Sequence, residues 1–241
     1  MDKSKIKLLA FDLDGTLSQH KTPLDDETRD ILFELSNRYK LLMSGAGMCR
    51  RIFNQMRQFP IDILGNYGMQ YACYNYQLGD IEIVRDISVP CDRESCDERV
   101  TYLRNKYGYT SYKGDNVEYH SSGCITFPLL GTLADLESKL TFDPDRAKRR
   151  AIYQDVVKVF DDFNVFIGGS SSFDMAPRPY NKYYALSNYC IEHGFLHEEV
   201  AYFGDDYGLG GNDESVYLSD INFIKVDDYT QFKEKVKILL K

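Results

Sequence analysis

The chain has 241 residues, 43% of them hydrophobic and 27% charged, a balance typical of a globular protein with room for one large domain or two modest ones. Its formal net charge of −8 argues against nucleic acid or an anionic membrane surface as the main partner, while leaving room for a local basic pocket around a phosphate. Six cysteines without framework spacing, no secretory leader pattern and no long apolar span point to a cytoplasmic chain with reduced thiols, no zinc site and no membrane segment.

In chain order, the first apolar run, 6–11, reads as a buried strand and leads directly into Asp12-Leu13-Asp14-Gly15-Thr16. Alternation along a strand puts Asp12 and Asp14 on one side while Leu13 anchors the turn, and Gly15 allows a sharp exit. Two acids at a strand end suggest a Mg²⁺ site, because hard cations take oxygen ligands. A helix is expected over 25–38, then a strand over 40–43 that ends in Ser44-Gly45 ahead of a helix at 48–58. Ser44 there is either part of a phosphate cradle with exposed backbone N–H groups or an ordinary helix N-cap. A strand follows at 61–65.

The middle has a different rhythm. Strands are expected at 81–84, 117–119 and 124–127, and a helix over 97–107. A long helix spans 143–163, with Asp143 or Thr141 as N-cap and Pro144 in its first turn. Two more strands follow, at 165–167 and 173–175. The helix 181–193 carries Lys182 in its first turn, where a cation opposes the helix dipole and is better explained if an anion faces it. The strand 200–204 ends in Gly204-Asp205-Asp206, and a glycine-rich loop then returns Asn212 and Asp213. Acids gathered this way repel one another unless something positive binds. A strand at 222–226 and a helix at 228–240 close the chain. His193 and His197 have helical spacing, but Gly194 ends the helix between them, so they are not read as a metal site.

The two ends alternate strand and helix, which predicts an α/β fold: a Rossmann-like, mostly parallel sheet from residues 1–79 and 178–241, with helices on both faces. Residues 80–177 form an inserted α+β unit. The four polar segments all lie at carboxyl ends of strands, where such sheets bind ligands.

In sequence order those segments are Asp12-x-Asp14-Gly15-Thr16, Ser44, Lys182 and Gly204-Asp205-Asp206 with Asn212-Asp213. Together they resemble the haloacid dehalogenase-like superfamily. Ser172-Phe173-Asp174 and Tyr202-Phe203-Gly204-Asp205 look, more narrowly, like eukaryotic-type phosphomannomutases. The resemblance implies that the insert is a type II cap that supplies substrate specificity. It implies Asp12 as the nucleophile forming an aspartyl-phosphate and Asp14 as general acid, then base. It implies Mg²⁺ on Asp12, the main-chain carbonyl of Asp14 and Asp205, with Asn212 and Asp213 supporting that shell. Ser44 and Lys182 would hold the phosphate. Lys21, Ser172 and Asp174 would contact substrate. Asp206 is either near the metal or merely a loop acid.

The chain departs from the mutase pattern in its cap. Between Tyr119 and Thr132 there is no Arg or Lys, and His120 and Thr132 stand where the mutases carry arginines for a second phosphate. Ala46 also replaces an Arg that many relatives carry. The expected function is therefore a Mg²⁺-dependent phosphatase of a small phosphorylated metabolite, a sugar phosphate. The alternatives are a phosphomannomutase, with compensating cations at Arg146, Arg149 or Lys113, and a non-catalytic sugar-phosphate sensor. A homodimer through the cap goes with the same resemblance.

Overall fold

The computed structural model describes residues 2–240. They divide into two compact units. The first comprises the chain up to Asp86, 181–208 and everything from Asp213 onward, and the second comprises 87–180 with 209–212.

The first unit is built on a seven-stranded sheet. Its strands are β1 (Leu8–Phe11), β2 (Lys40–Ser44), β3 (Asp62–Gly65), β4 (Gln70–Asn75), β5 (Asp80–Asp86), β10 (Val200–Gly204) and β11 (Asn222–Lys225). Their order is β11-β10-β1-β2-β3-β4-β5. The first five in that order run parallel, and β4 and β5 are antiparallel. Side-chain alternation sends Leu9, Phe11, Met43 and Phe203 to one face, against α1 (Asp26–Ser36), α2 (Cys49–Gln55) and α8 (Phe232–Leu240). Leu8, Ala10, Leu42 and Tyr202 go to the other face, against α6 (Lys182–His193) and α7 (Glu214–Tyr217). Both faces are thus covered, as a parallel sheet requires. Phe11 stacks on Phe203 at 5.2 Å and meets Phe232 edge-on at 5.9 Å. Burying one such ring is worth roughly 1.5–3 kcal/mol.

In the second unit, β6 (Glu118–Tyr119), β7 (Ile125–Pro128), β8 (Phe163–Phe166) and β9 (Ser172–Pro177) form an antiparallel sheet in the order β6-β7-β9-β8. Phe127, Phe173 and Met175 pack with Val100 and Leu103 of α3 (Arg93–Tyr107) and with Ile152 and Val156 of α5 (Ala147–Val159). Alternation leaves Thr126 and Asp174, partners in the β7–β9 register, off that packed side. No helix among the described residues is long and apolar enough to cross a membrane.

Several expectations need correction. The strand at 81–84 is not part of the insert. As β5 it is an edge strand of the large sheet, paired along its length with β4, a strand the sequence did not reveal, so the first unit extends through Asp86. The long helix expected over 143–163 is shorter, with α5 running only from Ala147 to Val159. A separate helix that the sequence did not reveal, α4 (Leu136–Phe142), precedes it, and the chain turns between them through Arg146 at φ +61°. Asp143 still caps, but from a distance: its carboxylate accepts the N–H groups of Lys148 at 2.9 Å and Arg149 at 3.1 Å. The helix expected from 97 begins at Arg93, capped by Asp92, which accepts from Ser95 N–H.

Two cap arginines are structural. Arg149 is 1% exposed. It bonds Asp143 at 2.8 Å and the carbonyls of Gly168, Gly169 and Ser172. Arg104 is spent in the same way on the carbonyls of Tyr109, Pro128 and Leu129 and on the Asn116 side chain.

Candidate active site

The carboxyl edge of the parallel sheet gathers the polar residues. Phe11 is in register with Phe203 and Met43, so one residue further along, Asp12 stands level with Gly204 and Ser44. The Asp12 N–H continues the ladder by donating to the Phe203 carbonyl at 2.9 Å. Gly15, at φ +96°, lies against Asp205. A Cβ there would sit 2.4 Å from Asp205 Oδ2, so any larger residue would push the two motifs apart. Thr16 joins them by donating its hydroxyl to Asp205 Oδ1 at 2.9 Å.

Lys182 is the centre of the site. Asn181 caps α6 by accepting the Tyr184 N–H at 2.8 Å. That cap places Lys182 as the first helical residue, and its side chain is fully buried. Its Nζ donates to Asp12 Oδ1 at 2.6 Å and to Asp213 Oδ1 at 2.7 Å. A first-turn lysine that opposes its helix dipole is thus explained by two carboxylates. Asp213 is held on every side. Tyr202 donates its hydroxyl to the same Oδ1 at 2.5 Å, and the Asp206 N–H donates to Oδ2 at 3.1 Å. Asp206 also accepts the Asp213 N–H through its carbonyl at 3.0 Å, so its main chain brackets Asp213.

Asp12, Asp205 and Asp213 each bring a carboxylate oxygen within 4.8 Å of the others. Three carboxylates share one ammonium, leaving two negative charges if all are ionised. Burial raises the pKa of Asp12. Lys182 draws it down, but the charges of Asp213 and Asp205 add to the rise. Burial and then the Asp213 charge raise Asp205 to about 6. A divalent cation on these hard oxygen donors would remove both strains, so the residues fit Mg²⁺. Asp213 already accepts three hydrogen bonds and suits a supporting role. Asn212 belongs to the short loop 209–212 that groups with the second unit.

Asp14 is held apart from this cluster. Its carboxylate accepts from Gln55 Nε2 and from the Lys21 N–H, both at 2.6 Å, and lies 3.4 Å from Arg51 Nη1. Burial raises its pKa, but these donors together outweigh that and lower it. Lys21 therefore meets Asp14 through its backbone, while its residue is exposed at φ +58°. Ser44 is buried at the end of β2. The N-cap of α2 is Met48, which removes the N-cap reading of Ser44.

In the second unit, Asp174 Oδ1 accepts from Thr126 Oγ1 at 3.0 Å, and Thr126 Oγ1 is 3.1 Å from His120 Nε2. Burial raises the pKa of Asp174. Ser172 donates its hydroxyl to the Gly168 carbonyl at 3.2 Å.

Sequence reasoning missed Gln55, Arg51 and Tyr202. Gln55 and Arg51 share one face of α2 at i,i+4, a spacing that could have marked them as a pair. Nothing local marks Tyr202, a residue within a buried strand. Its hydroxyl gives a clean test. Tyr202→Phe should lower stability by about 1.5–3 kcal/mol, the worth of one bond to a charged group whose other partners remain. Urea denaturation measures it, and a change within experimental error would mean Tyr202 does not support Asp213.

Comparison with known proteins finds likenesses in sequence and in fold. The sequence profile of the eukaryotic phosphomannomutase family matches residues 110–226. The phosphomannomutase of Saccharomyces cerevisiae is 24% identical over 228 residues, covering 88% of this chain and 85% of the yeast protein. Among solved structures, the IMP-nucleotidase of Plasmodium falciparum, truncated at its N-terminus and bound to IMP, aligns with a TM-score of 0.69 at 14% identity. That alignment covers 98% of this chain and 68% of that one. A phosphatase of the haloalkanoate dehalogenase superfamily from Bacteroides thetaiotaomicron aligns with a TM-score of 0.60 at 15% identity, covering 97% and 95%. These likenesses establish a shared fold.

Proposed function

We propose that this chain, which resembles the haloacid dehalogenase-like superfamily and, within it, the eukaryotic phosphomannomutases, is a Mg²⁺-dependent phosphoryl-transfer enzyme that hydrolyses a small sugar phosphate. The observation that carries the reading is the buried Lys182 ammonium between Asp12 and Asp213, with Asp205 in the same cluster. A non-catalytic sensor has no need of a nucleophile paired in this way.

Asp12 attacks phosphorus and forms an aspartyl-phosphate. Asp14 gives a proton to the departing sugar oxygen and then, as carboxylate, takes one from the attacking water. The donors on Gln55, Arg51 and Lys21 favour that carboxylate. Ser44 and Lys182 contact the phosphoryl oxygens. Mg²⁺, when bound by Asp12, the Asp14 carbonyl and Asp205, supplies charge neutralisation to the transferring group. Asp213 orients Lys182, and Asn212 supports the metal shell. In the second unit, Ser172 and Asp174 meet sugar hydroxyls. The proposal includes a cytosolic location and a homodimer through the cap, where Leu133, Leu136 and Leu140 are exposed.

Hydrolysis is favoured over mutase action by the cap. A mutase must grip a second phosphate, which calls for forked, charged donors. Arg149 is consumed internally, and Lys113 is exposed and lies 3.9 Å from Asp135. Mutase action is the second reading, and the phosphomannomutase family match and relatives favour it.

The test is phosphate release from an aryl phosphate. Turnover should vanish with chelator and return with Mg²⁺ but not with Ca²⁺, whose larger, looser shell misaligns the attack. Full turnover in chelator would remove the metal, and no turnover with Mg²⁺ present would remove the enzyme reading.

A further inference from the structure

Two cysteines at the start of the second unit are placed for a reaction of their own. Cys91 lies in the irregular stretch 87–92 that leads from β5 to α3, and it is half-buried. Cys96 lies in the first turns of α3 and is 3% exposed. Their Sγ atoms are 3.6 Å apart. A disulfide needs about 2.05 Å, so about 1.5 Å of closure is required. The stretch carrying Cys91 has no ladder of its own. It is tied further back, where Val89 N–H donates to the Ser122 carbonyl at 2.9 Å and Ser88 Oγ to the Ser121 carbonyl at 2.7 Å. Gly123 has no Cβ to block that docking, since a Cβ would lie 2.2 Å from the Val89 carbonyl. One end of the connector is thus pinned to the β6–β7 turn, while the end bearing Cys91 stands against Cys96.

We propose that Cys91 and Cys96 are a reversible disulfide site that fastens the connector to α3 when a small disulfide oxidant is present. The atoms balance as an exchange. The Cys91 thiolate attacks one sulfur of oxidised glutathione and displaces one glutathione thiolate. Cys96 loses its proton and attacks Cys91 Sγ, displacing the second. Two protein thiols become one disulfide, and one oxidised glutathione becomes two reduced ones. Burial and the neighbouring Cys91 raise the Cys96 thiol, which disfavours its thiolate in the second step. The bond should form on the roughly seconds-to-hours scale of disulfide exchange.

The chain carries its own readout. Arg93 lies between the two cysteines, and Arg85 and Arg99 flank them. Trypsin therefore releases 86–93 and 94–99 as separate peptides unless a disulfide joins them. The whole folded protein would be incubated with oxidised glutathione, its free thiols blocked, and then digested without reductant. The expected result is one species containing both peptides, and a free-thiol titre that falls from the six cysteines of the chain to four. Dithiothreitol should restore the titre. Cys91→Ser should yield no joined peptides. A titre that stays at six, glutathione adducts in place of the joined peptides, or cross-links to other cysteines would overturn the proposal. None of these readouts depends on turnover, so the result is independent of the catalytic reading.

Discussion

Asp12→Asn is expected to cut phosphate release at least ~1,000-fold, about 4 kcal/mol in barrier, with the fold intact. The amide cannot form an acyl-phosphate. Its carbonyl oxygen can still accept from Lys182 Nζ, which the carboxylate now meets at 2.6 Å, and Asp213 remains as the second partner. Folding is checked by circular dichroism and turnover by released phosphate. A variant that keeps more than about a tenth of the wild-type rate, a loss under 1.4 kcal/mol, would exclude Asp12 as the nucleophile.

Lys182→Met should have the largest effect on stability. Methionine keeps the apolar stem but removes the one cation that, among the described residues, is bonded to Asp12 and Asp213, leaving two buried carboxylates uncompensated. Breaking a buried pair in this way costs roughly 3–5 kcal/mol, a large part of the ~5–15 kcal/mol that holds a typical domain together. Urea denaturation without metal measures the loss. Added Mg²⁺ should recover part of it, because a cation bound to the folded state alone stabilises by mass action. A loss under about 1 kcal/mol would show that Lys182 does not carry the charge balance of the site. A large loss with no recovery in Mg²⁺ would count against a metal at Asp12 and Asp205.

The sheet edge was legible because its signals are local. β1, β2 and β10 are short, largely apolar runs, and each leads into residues that a buried strand would not carry without a ligand. Asp12, Ser44 and Asp205 could therefore be placed from sequence, and Lys182 from its helix start. The partner of Lys182 was only half legible. Asp213 comes 31 residues later, and no spacing rule connects a helix start to a loop that far away. β4 was missed because its six residues, Gln70–Asn75, mix amide, aromatic and small side chains without a clear alternation. β5 was placed in the wrong unit because an edge strand with exposed Ile83 and Val84 looks the same on either sheet.

Arg149 illustrates the limit best. On a helix of mixed charge it looks like a solvated residue and was a candidate cation for a second phosphate. Its actual partners are carbonyls 19–23 residues away and an aspartate before the helix. Only the tertiary fold brings these around one guanidinium, and they turn a potential ligand-binding cation into a brace for the loop before β9.

The most direct test gives the protein mannose 1-phosphate with Mg²⁺, with and without a hexose bisphosphate, and measures released phosphate and mannose 6-phosphate in the same samples. The account predicts that phosphate release dominates under both conditions. With no forked cation at His120 or Thr132, the second phosphate is not gripped, and water reaches phospho-Asp12 first. Isomerisation that outruns phosphate release would contradict it and establish the mutase reading.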